Sequence, residues 1–518
     1  MISRIRFLRS IGKFPVAATV RQLAGPVALG AVMGSAWLLP GTFLAAALWF
    51  GSTFFLVHFV TAPDGRPLRS MFVAGAVGCC IAFHWLVRTI ADFSGLPAFV
   101  SVLLYALFVC VTALQFVLYA FFARLLAPHL ARIALATPVA WIAAETLMPR
   151  IFPWEPAHTQ IAVLPLVQIS DLAGSEAVGF LLFWICESIL AAWPARRWRL
   201  CAAPLAALAA ALAYGAYRLD EYGDLPGAIQ RVALVQANVA LTQEDGITRA
   251  AIATDRYIAL TRQIDDPGSL IVWPESALQD FLPMDIRDRR QLAGLNSLFP
   301  PAAQMLVGTF TTNGRQRYNS AVAVYGDGRI PPAYAKRILM PFGEYMPLQS
   351  LVPQLASLNA SFSPLDAGNS TAVFAYSDKL RASPLICYED LVPAMSRDAV
   401  LQGATLLVNL TNDVWFGDTV APRQHHLIAS FRAIENRRWL LRATNTGMTA
   451  IVAPTGETVA ALPGFSDGIL RADVRLLDGL APYSRWLGER LWWALTALAC
   501  ALAAWSWTST ARARRMQR

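Results

Sequence analysis

Seven cysteines are spread along the 518-residue chain: Cys79, Cys80, Cys110, Cys186, Cys201, Cys387 and Cys500. Six lie in or beside apolar runs, where a thiol behaves as a small hydrophobe. Cys387 alone falls in a stretch of mixed texture, with no second cysteine there to pair with. Such a thiol is either buried and inert or kept for its reactivity. It ends a strand-like run, SPLIC, and is followed by Tyr388, Glu389, Asp390 and a helical pattern. A strand-to-helix turn presents a nucleophile at a sheet edge, with turn N–H groups placed to meet an oxyanion. The thiol also needs a base. His425 and His426 are the histidines of this stretch. Adjacent on a helix, they point ~100° apart, so at most one can serve.

Carboxylates offer another base. Glu275 closes the run LIVWPES, where Pro274 stops a strand; a simple helix cap is the plain alternative. Lys336 sits in AYAKRILMPFGEYMP, and a solvated loop lysine is its plain alternative. Together the three supply a base, a cation and a thiol. Glu275 would take the thiol proton, Lys336 would stabilise a tetrahedral oxyanion, and Cys387 would carry an acyl group. One donor at such an oxyanion is worth ~2.7–4 kcal/mol of barrier. With no second cysteine in the stretch and no HExxH pattern, no metal is expected, and no cofactor is called for.

The elements that must position these residues are read from composition. Hydrophobic residues make up 56% and charged ones 15%, against roughly 25% charged in a soluble chain; mean hydropathy is +0.45. Disorder, collagen-like repeats and a disulfide-stapled scaffold are excluded. Apolar runs long enough to span a bilayer lie near 23–40, 42–61, 70–88, 98–122, 130–148, 174–193, 199–217 and 489–507. The sixth begins with Asp171 and Glu176 nearby, and 161–170 is apolar enough to dip into the bilayer. The first run continues through Pro40-Gly41 into the second, which argues against a cleaved signal peptide.

The net charge of +9 follows the same organisation. Arg4, Arg6, Arg9, Lys13 and Arg21 precede the first run, Arg66 and Arg69 follow the second, and Arg124 and Arg132 follow the fourth. Arg196, Arg197 and Arg199 follow the sixth, and Arg512, Arg514, Arg515 and Arg518 the last. Every second loop is basic, the positive-inside pattern. No basic stripe interleaved with aromatics appears, so nucleic acid is not an expected partner. Residues 1–219 are read as a membrane domain of seven helices, 220–487 as an extracytoplasmic domain, and 488–518 as an eighth helix with a basic cytoplasmic tail. The middle segment alternates short β-branched runs with helical patterns at 249–265, 287–298, 391–402 and 421–438. This predicts an α/β domain around a buried sheet.

Glu275 in WPES, Lys336 in AKRILMPFGEYMP and Cys387 in ICYED, in this order, resemble the Glu-Lys-Cys triad of the nitrilase, or carbon–nitrogen hydrolase, superfamily. NLTNDVWFG (409–417) and the run 424–457 extend the match. With seven spans before the domain and one after, the chain is similar to the bacterial apolipoprotein N-acyltransferase family over nearly its whole length. The resemblance implies an α-β-β-α sandwich and a two-step acyl transfer. A phospholipid, usually phosphatidylethanolamine, gives its acyl chain to the cysteine as a thioester. The N-terminal amine of diacylglyceryl-cysteine in a lipoprotein then takes it. It also implies a multi-pass protein of the bacterial inner membrane whose catalytic domain faces the periplasm. Glu344 and Glu389 carry over as supporting carboxylates, the Tyr388 N–H as an oxyanion donor, Trp415 as a neighbour of the lipid entrance and Asn319 as a neighbour of the site.

Two places depart from the family pattern. The Lys-Trp pair usual after the first strand of the outer domain is missing from NVALTQEDGITRA, and FPWEPAHTQ carries Glu155 and His158 where Gly-Tyr is usual. Both bear on how lipid is received. Two other readings remain: a membrane-tethered amidase or paralogous acyltransferase for another amine, and a transporter or sensor. The second is disfavoured because few ionisable residues sit mid-span and no paired, interrupted helices are seen.

Overall fold

The computed structural model describes residues 15–516 except 63–65, 95–96, 195, 225–226, 241–245, 267, 292–299, 301 and 347–363. The N-terminal region is helical: α1 (Pro15–Trp37), α2 (Phe43–Thr61), α3 (Pro67–Ala82), α4 (Leu86–Ser94), α5 (Ala98–Leu130), α6 (Ala136–Leu147), α7 (Glu176–Ala192) and α8 (Ala202–Asp224). Among the described residues, Phe43–Thr61, Ala98–Ile133, Trp198–Tyr222 and Arg490–Ser509 are long and apolar enough to cross a membrane. Two bent pairs bring this to as many as six: Pro67–Ala82 with Leu86–Asp92, at 59°, and Leu164–Ala173 with Glu176–Ala192, at 116°. The expected third span is thus broken between Ala82 and Leu86. The break buries both Phe83 and Trp85 and lets Trp85 Nε1 donate to Gln424 Oε1 at 3.0 Å. The expected fifth span contracts to α6, which at ~1.5 Å per residue falls short of a ~30 Å core. Its start is set by Ala134, whose left-handed φ of 56° ends the preceding helical turn.

Beyond α8 the texture changes to strands: β1 (Ile229–Gln236), β2 (Leu270–Trp273), β3 (Phe281–Pro283), β4 (Gln304–Thr312), β5 (Arg317–Val324), β6 (Tyr334–Ala335), β7 (Phe374–Ala375), β8 (Arg381–Ile386), β9 (Leu406–Thr411), β10 (Leu440–Thr444), β11 (Ala450–Val452), β12 (Thr458–Ala461) and β13 (Gly468–Arg475). Between and after them run α9 (Gly246–Thr261), α10 (Pro393–Leu401), α11 (Ala421–Asn436) and α12 (Arg490–Met516). The helical pattern 287–298 shows only a 3₁₀ turn, Arg289–Gln291, before it passes outside the described residues.

One sheet has the order β13-β1-β2-β4-β5-β6, with β3 also on β4; the other runs β12-β11-β10-β9-β8-β7. The centre of each is parallel, β1-β2-β4 and β8-β9-β10. Parallel strands are covered on both faces, so they read as unbroken apolar runs; LIVW of β2 and LLVNLT of β9 are buried throughout. Val232, Leu234, Val272 and Leu306 of the first sheet share a core with Ala382, Ile386, Val408 and Leu441 of the second. On the outer face of the first sheet, Tyr257 and Ile258 of α9 pack with Trp273 and Met305. On that of the second, Val400 of α10 and Ala429 and Ala433 of α11 cover Leu407 and Leu440.

Helix α11 also faces the N-terminal helices. Its Leu427 and Ile428 join their core, and Phe431 and Ile434 pack with Ala157, Leu166 and Val178. Gln424 Nε2 donates to the carbonyls of Trp37 (2.9 Å) and Ala82 (3.1 Å). Arg437, just past the helix, pairs with Asp171 at 2.8 Å and donates to Gln168 Oε1 at 2.6 Å. Glu155 and His158 lie buried in this joint. Ser175 Oγ donates to Glu155 Oε2 at 2.7 Å, and the Glu155 N–H donates to His158 Nδ1 at 2.9 Å. Their surroundings tie the two regions together.

Candidate active site

The C-terminal ends of β2 and β8, with β5 and β6, converge on one polar cluster. Pro274 ends β2 and leaves Glu275 at the strand tip; neighbouring Gly308 of β4 has no room for a Cβ against the Pro274 carbonyl. Cys387 follows β8 with φ of 49°, a left-handed conformation that costs a non-glycine residue energy. Strain of this kind concentrates at functional turns. Asn409 of β9 steadies the turn, donating through Nδ2 to the Leu385 (3.2 Å) and Cys387 (3.3 Å) carbonyls.

Lys336 follows β6 and is only 1% exposed, so it is no solvated loop lysine. Its Nζ lies 2.7 Å from Glu344 Oε2 and 3.4 Å from Glu275 Oε1. Asn319 of β5 bridges the same carboxylates, donating through Nδ2 to Glu275 Oε1 and Glu344 Oε1, each at 2.7 Å. Backbone N–H groups complete the carboxylates: Glu275 Oε2 accepts from the Asn412 N–H at 2.9 Å, and Glu344 Oε2, already paired with Lys336, also accepts from the Met340 N–H at 2.8 Å. Lys336 therefore meets Glu275 directly and Glu344 is joined to it through Lys336 and Asn319, with Cys387 near enough for Glu275 and Lys336 to act on its ionisation.

The electrostatics are uneven. Burial would pull the Lys336 pKa down, yet Glu344, Glu275 and Cys387 together raise it, keeping a fixed cation. Burial raises Glu275, with Lys336 opposing and Glu344 reinforcing the shift; the net direction is upward. Cys387 is likewise pushed well up, by burial and by Glu275, against Lys336. A neutral thiol beside a carboxylate of raised proton affinity is a pair between which one proton can move.

Glu389 is fully buried and accepts from the N–H groups of Ile386 (2.7 Å), Arg337 (2.6 Å) and Ile338 (3.2 Å) and from Tyr334 Oη (2.8 Å). It fastens the cysteine-bearing turn to the lysine-bearing loop and has no direct contact with Lys336 Nζ. Tyr388 stands in the first turn of the 3₁₀ helix Cys387–Leu391, where N–H groups lack intrahelical acceptors. Its hydroxyl donates to the Ile151 carbonyl at 2.6 Å. Trp415, 38% exposed, sits in the turn Asp413–Phe416 after β9, and its neighbour Phe416 meets Trp85 edge-on at 5.1 Å. The eight residues thus fall in one neighbourhood, with Trp415 at its rim.

The adjacent histidines separate cleanly. Both ring nitrogens of His425 face carboxylates, Nε2 to Asp390 Oδ1 at 2.8 Å and Nδ1 to Asp413 Oδ1 at 3.1 Å. His426 instead bonds Thr458 Oγ1 at 2.8 Å. His425 therefore has no nitrogen left for the thiol, and His426 Nδ1 is buried with no hydrogen-bond partner among the described residues, the thiol included. Asp390, Asp413 and Arg442 are site neighbours that sequence reasoning missed. Asp390 stood in ICYED and Asp413 in NDVWFG, but nothing local links them to residue 425 or 442.

Residues 29–188 match the family described as apolipoprotein N-acyltransferase N-terminal domain, and residues 231–479 the carbon-nitrogen hydrolase family. The apolipoprotein N-acyltransferase of Geobacter metallireducens is 31% identical, over 85% of this chain and 87% of its own. That of Methylococcus capsulatus is 32% identical over 80% and 82%. Among solved structures, Saccharomyces cerevisiae Nit3, of the nitrilase superfamily, aligns with 48% of this chain and 90% of its own, at 16% identity and a TM-score of 0.37. The sequence matches run through the helical region and the nitrilase-like α/β region alike, and on that double match the chain belongs to the apolipoprotein N-acyltransferase family.

Proposed function

We propose that the protein transfers a fatty acyl chain from a phospholipid, through a thioester on Cys387, to the N-terminal amine of diacylglyceryl-cysteine in apolipoproteins. Glu275, Lys336 and Cys387 form the triad, and Glu344, Glu389, Asn319, Tyr388 and Trp415 support it. The observation that carries this reading is the buried Lys336 ammonium, held between two carboxylates beside a strained cysteine.

Glu275 takes the thiol proton as the sulfur attacks the ester carbonyl of the lipid, usually phosphatidylethanolamine. The oxyanion forms against Lys336 and the Tyr388 N–H. Collapse breaks the acyl C–O bond, and Glu275 returns the proton to the departing glycerol oxygen, giving a lysophospholipid. The lipoprotein amine then attacks the thioester, gives its proton to Glu275, and Cys387 leaves and is reprotonated. No cofactor or metal takes part. The thioester retains enough energy for the amine, provided water is kept out.

The proposed architecture follows from the same reading: membrane helices within 1–219, an α-β-β-α catalytic domain within 220–487 and a last membrane helix within 488–518. The catalytic domain faces the periplasm across the inner membrane of a bacterium. Acyl chains hold lipids in the bilayer by ~0.8 kcal/mol per CH₂, so an enzyme fixed to that surface meets substrates that a free one meets rarely.

Intact-protein mass spectrometry after incubation with phosphatidylethanolamine vesicles tests the donor step: a fatty-acyl mass on the Cys387 peptide is expected, and an unmodified peptide overturns it. Adding a diacylated lipopeptide should discharge that mass onto its amine. Discharge only to water or to a small amine would favour a membrane-tethered amidase or a paralogous acyltransferase.

A further inference from the structure

A second buried set of ionised groups lies beside the triad, and the reaction above does not use it. Asp390 belongs to the same 3₁₀ turn as Cys387, and Asp413 opens the turn that carries Trp415. His425 of α11 stands between them, 2.8 Å from Asp390 Oδ1 and 3.1 Å from Asp413 Oδ1. Arg442 of β10 closes the ring, with Nη2 3.2 Å from Asp413 Oδ2 and Nε 3.7 Å from Asp390 Oδ2. All four side chains are buried. Gly447 leaves no room for a Cβ against the Asp413 carboxylate, so the backbone closes over the set as well.

The protonation state follows from the partners. A carboxylate at neutral pH only accepts hydrogen bonds, so each ring nitrogen that faces one must donate, and a ring donating from both nitrogens is a cation. His425 and Arg442 then offset Asp390 and Asp413 charge for charge. A buried set of this kind is tolerable when complete, and it leaves an unpaired charge when one member is lost.

We infer that the His425 imidazolium is a positioning residue for acylation of Cys387, locking the turn that bears Cys387 and Tyr388 to the turn that bears Trp415 and Phe416. This rests on the proposed function for the reaction but on different atoms. The sulfur and the Tyr388 N–H belong to the first turn, and Phe416, edge-on to His425 at 6.4 Å, belongs to the second. Deprotonated, the ring donates from one nitrogen only, and one turn is released. A shift of about 1 Å in a reacting group costs roughly 100-fold in rate.

The groups facing His425 are Asp390 from the cysteine turn, Asp413 from the tryptophan turn, Arg442 from β10 and His426 from its own helix. Burial pulls the imidazole down and Arg442 adds to that, but Asp390 and Asp413 outweigh both and bring it up to about 9. The lock is therefore complete below the ordinary histidine value of 6.5 and is lost as pH rises through about 9.

The test uses the full-length protein in phosphatidylethanolamine vesicles. Single-turnover acylation of Cys387 is followed by mass spectrometry across pH for wild type, His425→Gln, Asp413→Asn and, as a control, His426→Gln. Wild type should lose rate above pH 9, and His425→Gln should be slower by roughly 100-fold near neutrality, without that alkaline fall and with the half-saturating lipid concentration little changed. Asp413→Asn should be slowed in the same direction, and His426→Gln should behave as wild type. A His425→Gln variant that acylates at the wild-type rate, or that keeps the alkaline fall, overturns the inference. If His425→Gln does not fold, the wild-type profile decides, since absence of the fall is equally fatal. Nitrogen-15 NMR of the histidine rings gives a readout independent of turnover: the His425 resonances should show both nitrogens protonated near neutral pH, and a neutral ring overturns the lock. Failure of wild type to acylate at all would strike the proposed function instead, leaving the NMR result to judge His425.

Discussion

Two buried charge clusters sit side by side at the end of the sheets, and their sums differ. Around Lys336, two carboxylates, Glu275 and Glu344, share one ammonium. Around His425, two carboxylates share two cations. The balanced set brings His425 up to about 9 and holds Asp413 below the ordinary carboxylate range because Arg442 and His425 outweigh burial. In the unbalanced set burial raises Glu275, Glu344 adding to it against Lys336, and burial with Glu275 raises Cys387 beside it. An excess of one negative charge distinguishes a cluster fit for proton transfer from one fit for holding turns.

That contrast can be broken in four ways. The largest effect is expected from Cys387→Ala, which should abolish the covalent acyl-enzyme and all turnover, with Cys387→Ser retaining little; mass spectrometry and lipopeptide acylation read both. Lys336→Met should follow, lowering the chemical step by about 100- to 1,000-fold while the lipid concentration at half-saturation changes little. A Lys336→Met variant as fast as wild type would remove the cation from the reaction. Third, the pH profile should show an acid limb set by Glu275. Its proton-accepting form is lost as pH falls through a value above the ordinary 4.5, so rate should decline there, and a profile flat to pH 4 would assign the base elsewhere. The smallest effect belongs to His426→Gln. Burial, with Arg442 and His425, holds this ring down near 3 and neutral, so its loss should cost no more than a hydrogen bond, about 0.5–1.5 kcal/mol in thermal unfolding.

The sequence exposed the unbalanced cluster far better than the balanced one. Glu275 and Cys387 each end an apolar strand run, where a polar residue stands out, and Lys336 is the one lysine in a loop of apolar and turn residues. Arg442 gave no such signal. It lies inside β10, and its partners at 390 and 413 belong to turns that only the sheet brings together. His425 was visible as a possible base, but both of its nitrogens are occupied, a fact about partners and not about residue type. Apolar windows also read α6 as longer than it is, since a left-handed alanine at 134 carries no compositional mark. The same windows ran through the break at Phe83–Trp85, which is held by a glutamine more than three hundred residues away.

That glutamine has a practical consequence. Gln424 spends both ends of its amide on Trp37, Ala82 and Trp85, one residue before the imidazole that joins the two turns. Leu427, Ile428, Phe431 and Ile434 follow along the same helix, all packed among helices of the N-terminal region. Cutting the chain near residue 220 would therefore separate covalent neighbours but split a shared interior, baring a greasy, amide-studded face. Truncation to a fragment without the N-terminal helices is the wrong route to this protein, because α11 is covered by them on one side and by the second sheet on the other.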